Sequence, residues 1–475
     1  MDDEELVKSI IGTLALVFTP ASLGPEDSKK DDDSSIEVGL CEIFLKEKDI
    51  FEGLLIKLHK VSQSLRYDIL QLIGILAERL PQTLPTALLS TPGAISNILE
   101  LIDDPNDVIR TETIMLLQLL TENSSEVQRV SAFEGAFEKL FELIFSEGGI
   151  IGGEALVEDA LLVAINMLRF NPSNQNFFRE SPCLPKLKLL LHPLNENATA
   201  SVQIFSNYKA LAELVCLLCD KDSPSLGSHQ SALFKAGIFE PLIETAFHKS
   251  LSSKIRESAM IILDHLLLNN PSTRQVFSLS LVMTDSKCPI PAVLAAIRVI
   301  ARPANDSNTL RLTAVNMLGS YLINNPDGQV VIAATFKPPI VGGTPSIDDQ
   351  SAGSVIIEHV VDLSTTRKDP KRVILAALLL SHVLRGNEQC KTITLQHCLQ
   401  EEELFINRIL MNLMDAVKDQ SSFSVNSAIA YLILFSTWLW DYQKGVSFFL
   451  SEGSNVQFVR FSIHFFSIFT RRLLN

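Results

Sequence analysis

The chain has 475 residues, of which 47% are hydrophobic and only 7% aromatic, and a formal charge of −15 with a pI near 5.1. That length exceeds what one compact core supports and points to several domains or a stack of repeats, and the acidic balance argues against a nucleic-acid backbone as main partner. Cysteines at 41, 183, 216, 219, 288, 390 and 398 form an odd, unpatterned set that reads as reduced thiols in a cytosolic setting.

The opening "MDDEELVKSI" is acidic and lacks the basic start and apolar core of a signal peptide, so no secretory leader is expected. Sequons at Asn123, Asn197 and Asn305 then read as chance. The stretch "PASLGPEDSKKDDDSSIEV", residues 20–38, carries six acidic residues, two lysines and turn formers. It has too little apolar area to order and predicts a flexible acidic loop.

From Arg66 onward one pattern recurs. Leu70, Ile73 and Leu76 follow at plus four, seven and ten, which is one face of an α-helix. The same ladder starts at Arg110, Glu158, Asn207, Arg256 and Arg311, with weaker copies at Arg372 and Val425. Successive anchors lie 44 to 61 residues apart, slightly longer than the roughly 40–47 residues of simple helical repeats. Downstream of several ladders, "LSTPGAISNILELI", "AFEGAFEKLFELI" and "LFKAGIFEPLIETA" place Gly93, Gly135 or Gly237 ahead of an apolar helix. Glycine suits such a helix-to-helix corner because it tolerates positive φ.

"NPSNQNFFRE" (171–180) and its counterparts at 269–279 and 324–334 read as the polar corner closing a ladder helix, since proline cannot continue it. Phe177 and Phe178 are expected to fill the gap between layers; a ligand loop is the alternative. "EGGIIGGEALVED" (147–159) is glycine-rich but lacks the Lys-Ser/Thr of a phosphate loop, and reads as a hinge. "FKPPIVGGTPSIDDQSAGSV" (336–355) reads as an insertion on one face, a place where partner contacts are often made, or as a plain solvated loop. Residues 420–440 carry no charge over 21 positions, the length of a membrane span. Their serine-rich start favours a buried soluble helix instead.

Catalytic signatures are poor. Neither a G-x-S-x-G elbow nor an H-E-x-x-H helix occurs. Cys216 and Cys219 have metal-like spacing without a second pair, and Cys390, His397 and Cys398 lack a carboxylate partner. His265 and His382 sit within leucine-rich ladders. The expectation is an interaction scaffold, not an enzyme, with no cofactor and no metal. Ladder-start arginines either pair with neighbouring repeats or fork to a partner's carboxylates. Candidate partner-binding residues are Arg110, Glu134, Glu158, Asn174, Gln175, Arg256 and Arg311.

The expected fold is all-α: an armadillo-like helical-repeat solenoid, a right-handed superhelix of about eight repeats. It is expected to span 1–458, with a divergent apolar tail at 459–475. Stacked layers of this kind offer extended binding surfaces. Such a tail, without a capping repeat, would expose an apolar patch.

"DDPNDVIRTETIMLLQLLTENSSEVQRVSAFEGAFEKLFELI", followed by "LVEDALLVAINMLRFNPSNQNFFRE", resembles the globular head of the general vesicular transport factors, golgin-type vesicle tethers. "CEIFLKEKD" (41–49) and "FSTWLWDYQKGVSFFLSEGSNVQF" (435–458) extend the likeness. The resemblance implies an armadillo-like head, homodimerisation, and tethering of vesicles between endoplasmic reticulum and Golgi. It also implies a Rab-type GTPase, SNARE proteins and other tethering factors as partners, with a cytoplasmic protein held peripherally on Golgi and vesicle membranes. By that resemblance Met1 falls inside a repeat, and the text after Phe458 departs from the family, so the head reads as truncated at both ends. Another armadillo-type adaptor or transport receptor is the alternative. Only Trp438 and Trp440 are present, which counts against an importin-like receptor.

Overall fold

The structure, a computed structural model, describes residues 3–19, 30–191, 201–283, 288–301, 307–336, 351–361, 370–399, 403–418 and 422–451. The first part of the expected acidic loop (20–29), most of the expected insertion (337–350) and the tail (459–475) lie outside them. The chain divides into two compact units, Met1–Pro241 and Leu242–Asn475. The described residues are helical apart from turns, one isolated bridge and a two-stranded antiparallel ribbon, Leu281–Val282 against Ile290–Pro291.

All eight ladders are helices. In the first unit Gln63–Arg79, Asp107–Glu122, Ala155–Leu168 and Val202–Leu218 each pack on the next, and Asp3–Phe18 packs on Gln63–Arg79. The second unit repeats the arrangement with Ser253–Leu267, Asn308–Leu322, Pro370–Leu384 and Ser422–Leu439. Two local signals start these helices. Apolar residues recur at helical spacing, and a short polar residue precedes the first turn. Ser62, Asn106, Ser201, Ser252 and Ser307 each accept a hydrogen bond from a first-turn backbone N–H. A cap of this kind contributes about 1 kcal/mol. Packing contributes more: Ile114, Leu117 and Leu120 are each at most 2% exposed, and full burial of one such side chain stabilises by about 1.5–3 kcal/mol.

Each layer adds a shorter pair of helices to its ladder. Ser125–Phe133 turns at Gly135 into Ala136–Ser146, which packs against Ala155–Leu168. Gly135 holds φ 84°, a left-handed value that Gly93 and Gly237 share, so the corner needs a residue without a Cβ. Short helix, glycine corner, second helix and long ladder helix together make an all-α, armadillo-like layer.

Two expectations need correction. Residues 30–38 are not a loop: Lys30–Lys46 is one helix, held by the buried Cys41, Phe44 and Leu45, with Phe44 edge-on to Phe18 at 5.8 Å. The apolar anchors lie just beyond the acidic run, so the composition of 20–38 does not register them. The Asn-Pro corners are also helix starts, not only helix ends. Asn171 is the N-cap of Pro172–Glu180, accepting from the Asn174 N–H at 3.2 Å. Asn270 and Asn325 cap Pro271–Leu279 and Pro326–Ala333 in the same way. Proline at the first helical position needs no hydrogen-bond partner for its nitrogen. The chain reverses one residue earlier, at Phe170, Asn269 and Asn324, whose φ values are 55°, 53° and 52°.

Phe178 fills the space between layers as expected, fully buried 5.0 Å from the Phe137 ring. Phe177 is 43% exposed and stacks on Phe137 only from outside.

Candidate interaction surface

The ladder-start residues have a common local task. A helix leaves its last carbonyls without intrahelical partners, and these side chains supply donors. Arg66 Nε donates to Leu58 O at 2.8 Å, Arg256 Nε to Ala246 O at 3.2 Å and Arg311 Nε to Ile300 O at 3.0 Å. Asn207 Nδ2, at the same ladder position, donates to Gly153 O at 2.9 Å. Arg256 and Arg311 are 5% and 1% exposed, which removes both from the surface on which partner contacts were expected.

Asn174 and Gln175 are buried as well. Asn174 Nδ2 donates to Met167 O at 2.9 Å and Gln128 O at 3.0 Å, and Gln175 Nε2 to Leu168 O at 3.0 Å. The position four residues after the cap has this task in other layers too. Gln128 Nε2 donates to Thr121 O, Arg274 Nε to Leu267 O, and Gln329 Nε2 to His382 O and Arg385 O. Caps join the network across layers: Asn171 Nδ2 donates to Gln128 Oε1 and Asn387 Nδ2 to Gln329 Oε1, both at 3.0 Å. These amides hold layers in register.

Arg110, Glu134 and Glu158 keep access to solvent. Arg110 Nη2 bridges Glu147 and Asp107, both at 2.8 Å, while Nη1 reaches Asp104 O at 3.1 Å. Glu158 accepts from Gln203 Nε2 at 2.8 Å. Glu134 lies exposed at the C-cap of Ser125–Phe133. Among the described residues, no three His, Cys, Asp or Glu side chains gather as a metal site, and no helix is long and apolar enough to cross a membrane. The uncharged run 420–440 falls largely within Ser422–Leu439, which buries Tyr431, Leu434, Phe435 and Trp438.

The sequence reading missed a groove in the second unit. Between the C-terminal halves of Pro370–Leu384 and Ser422–Leu439 lies a cavity of about 390 Å³ lined by Leu378, His382, Arg385, Ile433, Thr437 and Trp440, among others. Ile433 is 41% and Trp440 79% exposed, whereas Trp438 is buried and donates its Nε1–H to Lys391 O at 3.2 Å. Burial, with the Arg385 guanidinium nearby, lowers the His382 pKa. A second cavity of about 450 Å³ in the first unit has rims of mixed charge, Glu42 and Glu52 with Lys46 and Lys48. The signal for the first groove was in the sequence. Residues 370–385 contain only basic charge, and the run 420–440 contains none.

Layered helices that bury their polar joints and expose grooves define an armadillo-like scaffold. Residues 271–464 match the family described as Uso1/p115-like vesicle tethering protein, head region. Over 468 residues the chain is 25% identical to the general vesicular transport factors p115 of Bos taurus and Homo sapiens, covering 96% of this chain and 47% of each relative. It is 27% identical over 304 residues to the intracellular protein transport protein USO1 of Saccharomyces cerevisiae, covering 58% of this chain and 17% of that protein. A crystal structure of Uso1 superposes with a TM-score of 0.81 at 22% identity, covering 96% of this chain and 73% of that one. The resemblance to the general vesicular transport factor head therefore holds in sequence and in fold. The chain spans about half the length of the bovine and human relatives.

Proposed function

We propose that this chain is a protein-binding scaffold of the vesicle-tethering type, acting in transport between endoplasmic reticulum and Golgi and within the Golgi. The observation that carries the reading is the head-region match over 271–464, set within similarity to vesicular transport factors over 96% of the chain. The layered fold supports it, because extended helical surfaces bind proteins without needing a reactive centre. The proposed partners are a Rab-type GTPase, SNARE proteins and other tethering factors. The working form is a homodimer held peripherally on Golgi and vesicle membranes from the cytoplasm. Arg110, Glu134 and Glu158 are the earlier surface candidates that remain accessible for such contacts.

The test is retention of purified Rab GTPases, loaded with GTP or GDP, on the immobilised full chain, with light scattering for mass. At least one Rab is expected to be held preferentially in its GTP form, and the mass to be that of two chains. No nucleotide-dependent retention, together with unchanged Golgi transport on depletion, overturns the reading.

A further inference from the structure

We propose that the groove between Pro370–Leu384 and Ser422–Leu439 docks an extended peptide segment carrying a carboxylate beside a large apolar side chain. The apolar half of the argument is Trp440. It stands 79% exposed at the rim with Ile433 next to it, while the neighbouring Trp438 is fully packed. Exposed tryptophan over a pocket is a frequent anchor of protein contacts. A cavity of about 390 Å³ is at the size that accepts a leucine or phenylalanine side chain with its flanking backbone.

The polar half is charge. The whole chain carries −15, yet neither Pro370–Leu384 nor Ser422–Leu439 contains an acidic residue. The corresponding helices of the first unit do, with Asp68, Glu112, Glu158, Asp159 and Glu213. Around the groove, Glu388 pairs with Lys444 at 3.1 Å and Asp441 acts on Lys391. The Arg385 guanidinium makes no hydrogen bond or ion pair among the described residues, although it lies on the cavity wall. A planar five-donor fork beside an apolar slot suits a carboxylate. The proposal stands on the groove alone, whatever trafficking step the chain serves.

The two tryptophans make the site readable. Trp438 is shielded, so quenching by acrylamide reports Trp440. The probe is the peptide Ac-Ser-Asp-Glu-Leu-Phe-Asp-Glu-Ser-NH2, with a twin bearing Asn and Gln in place of the acids, both added to the full chain. The acidic peptide is expected to protect Trp440 from quenching, and the neutral twin to need about tenfold more. Arg385→Glu is expected to weaken the acidic peptide by at least about tenfold, and Trp440→Ala to weaken it in calorimetry. Both side chains are exposed, and circular dichroism and melting check that the variants fold; Arg385→Gln replaces any variant that melts early. Equal binding of the neutral twin, Arg385→Glu within about twofold of the parent, or protection by phosphatidylserine vesicles but not by peptide would each overturn the proposal.

Discussion

Asn325 ties two helices together with one side chain. Its Oδ1 accepts from the Gly328 N–H at 3.2 Å and its Nδ2 donates to Tyr321 O at 2.9 Å. Asn325→Ala is expected to lower stability by about 1–2 kcal/mol, read as an earlier denaturant midpoint with unchanged slope. Asn325→Asp keeps the acceptor and loses the donor, so its loss should be smaller. The thiols divide by burial. It pushes Cys183 to about 11 and Cys390 to about 12, and raises Cys219 further. Thiolate is the reactive form, so in a mass-spectrometric time course at neutral pH, exposed Cys288 and Cys398 should alkylate first. Cys183, Cys219 and Cys390 should react only on unfolding. At this scale the sequence was legible where a residue's task is local, as at Gly135. At Arg256 and Arg311 it left two tasks open, pairing with a neighbouring repeat or forking to a partner, and only the helix ends at Ala246 and Ile300 show that the guanidinium is used inside the fold.

The ladder helices carry the fold, and Leu117 is the point at which to test one. It is 1% exposed in Asp107–Glu122, which packs on helices to both sides. Leu117→Asp is expected to cost several kcal/mol, because an unpaired buried carboxylate must be desolvated or neutralised. Loss of helical circular dichroism below the parent's melting temperature would show it; a parental melt would refute the ladder assignment. The ladders were legible because a 3.6-residue period is written in consecutive positions. The Lys30–Lys46 helix was not, because its anchors Cys41, Phe44 and Leu45 follow an acidic run that dominates the local composition. The Asn-Pro sequence was ambiguous in itself: proline both stops one helix and opens the next, and only the path of the chain shows that it does both here.

Each of the two units holds a histidine whose pKa its surroundings lower, the buried His229 in the first and the half-buried His382 in the second. Burial lowers both pKa values first, with Arg179 and Arg385 adding to the effect. A histidine whose folded pKa is depressed contributes its stability in full above the unfolded value of about 6.5. It loses that contribution as pH falls, because the unfolded chain then binds the proton that the folded chain refuses. Both units should therefore weaken as pH falls below about 6.5. Denaturant titrations at several pH values should show this slope. His229→Gln or His382→Gln should flatten it; an unchanged slope in both variants would exclude these groups as its source.

By itself the sequence determined the class of the molecule. Helical periodicity, glycine corners and a repeated spacing define the armadillo-like layer, and ordered words such as "FEGAFEKL" and "NPSNQNFFRE" carry the resemblance to vesicle-tether heads, because both kinds of information lie along the chain. Tertiary structure decided which polar groups are joints and which are surface. Gln329 meets His382 O 53 residues away, and no local pattern announces that pairing. The same holds for the groove: Arg385 and Trp440 face one cavity only because two ladder helices pack side by side.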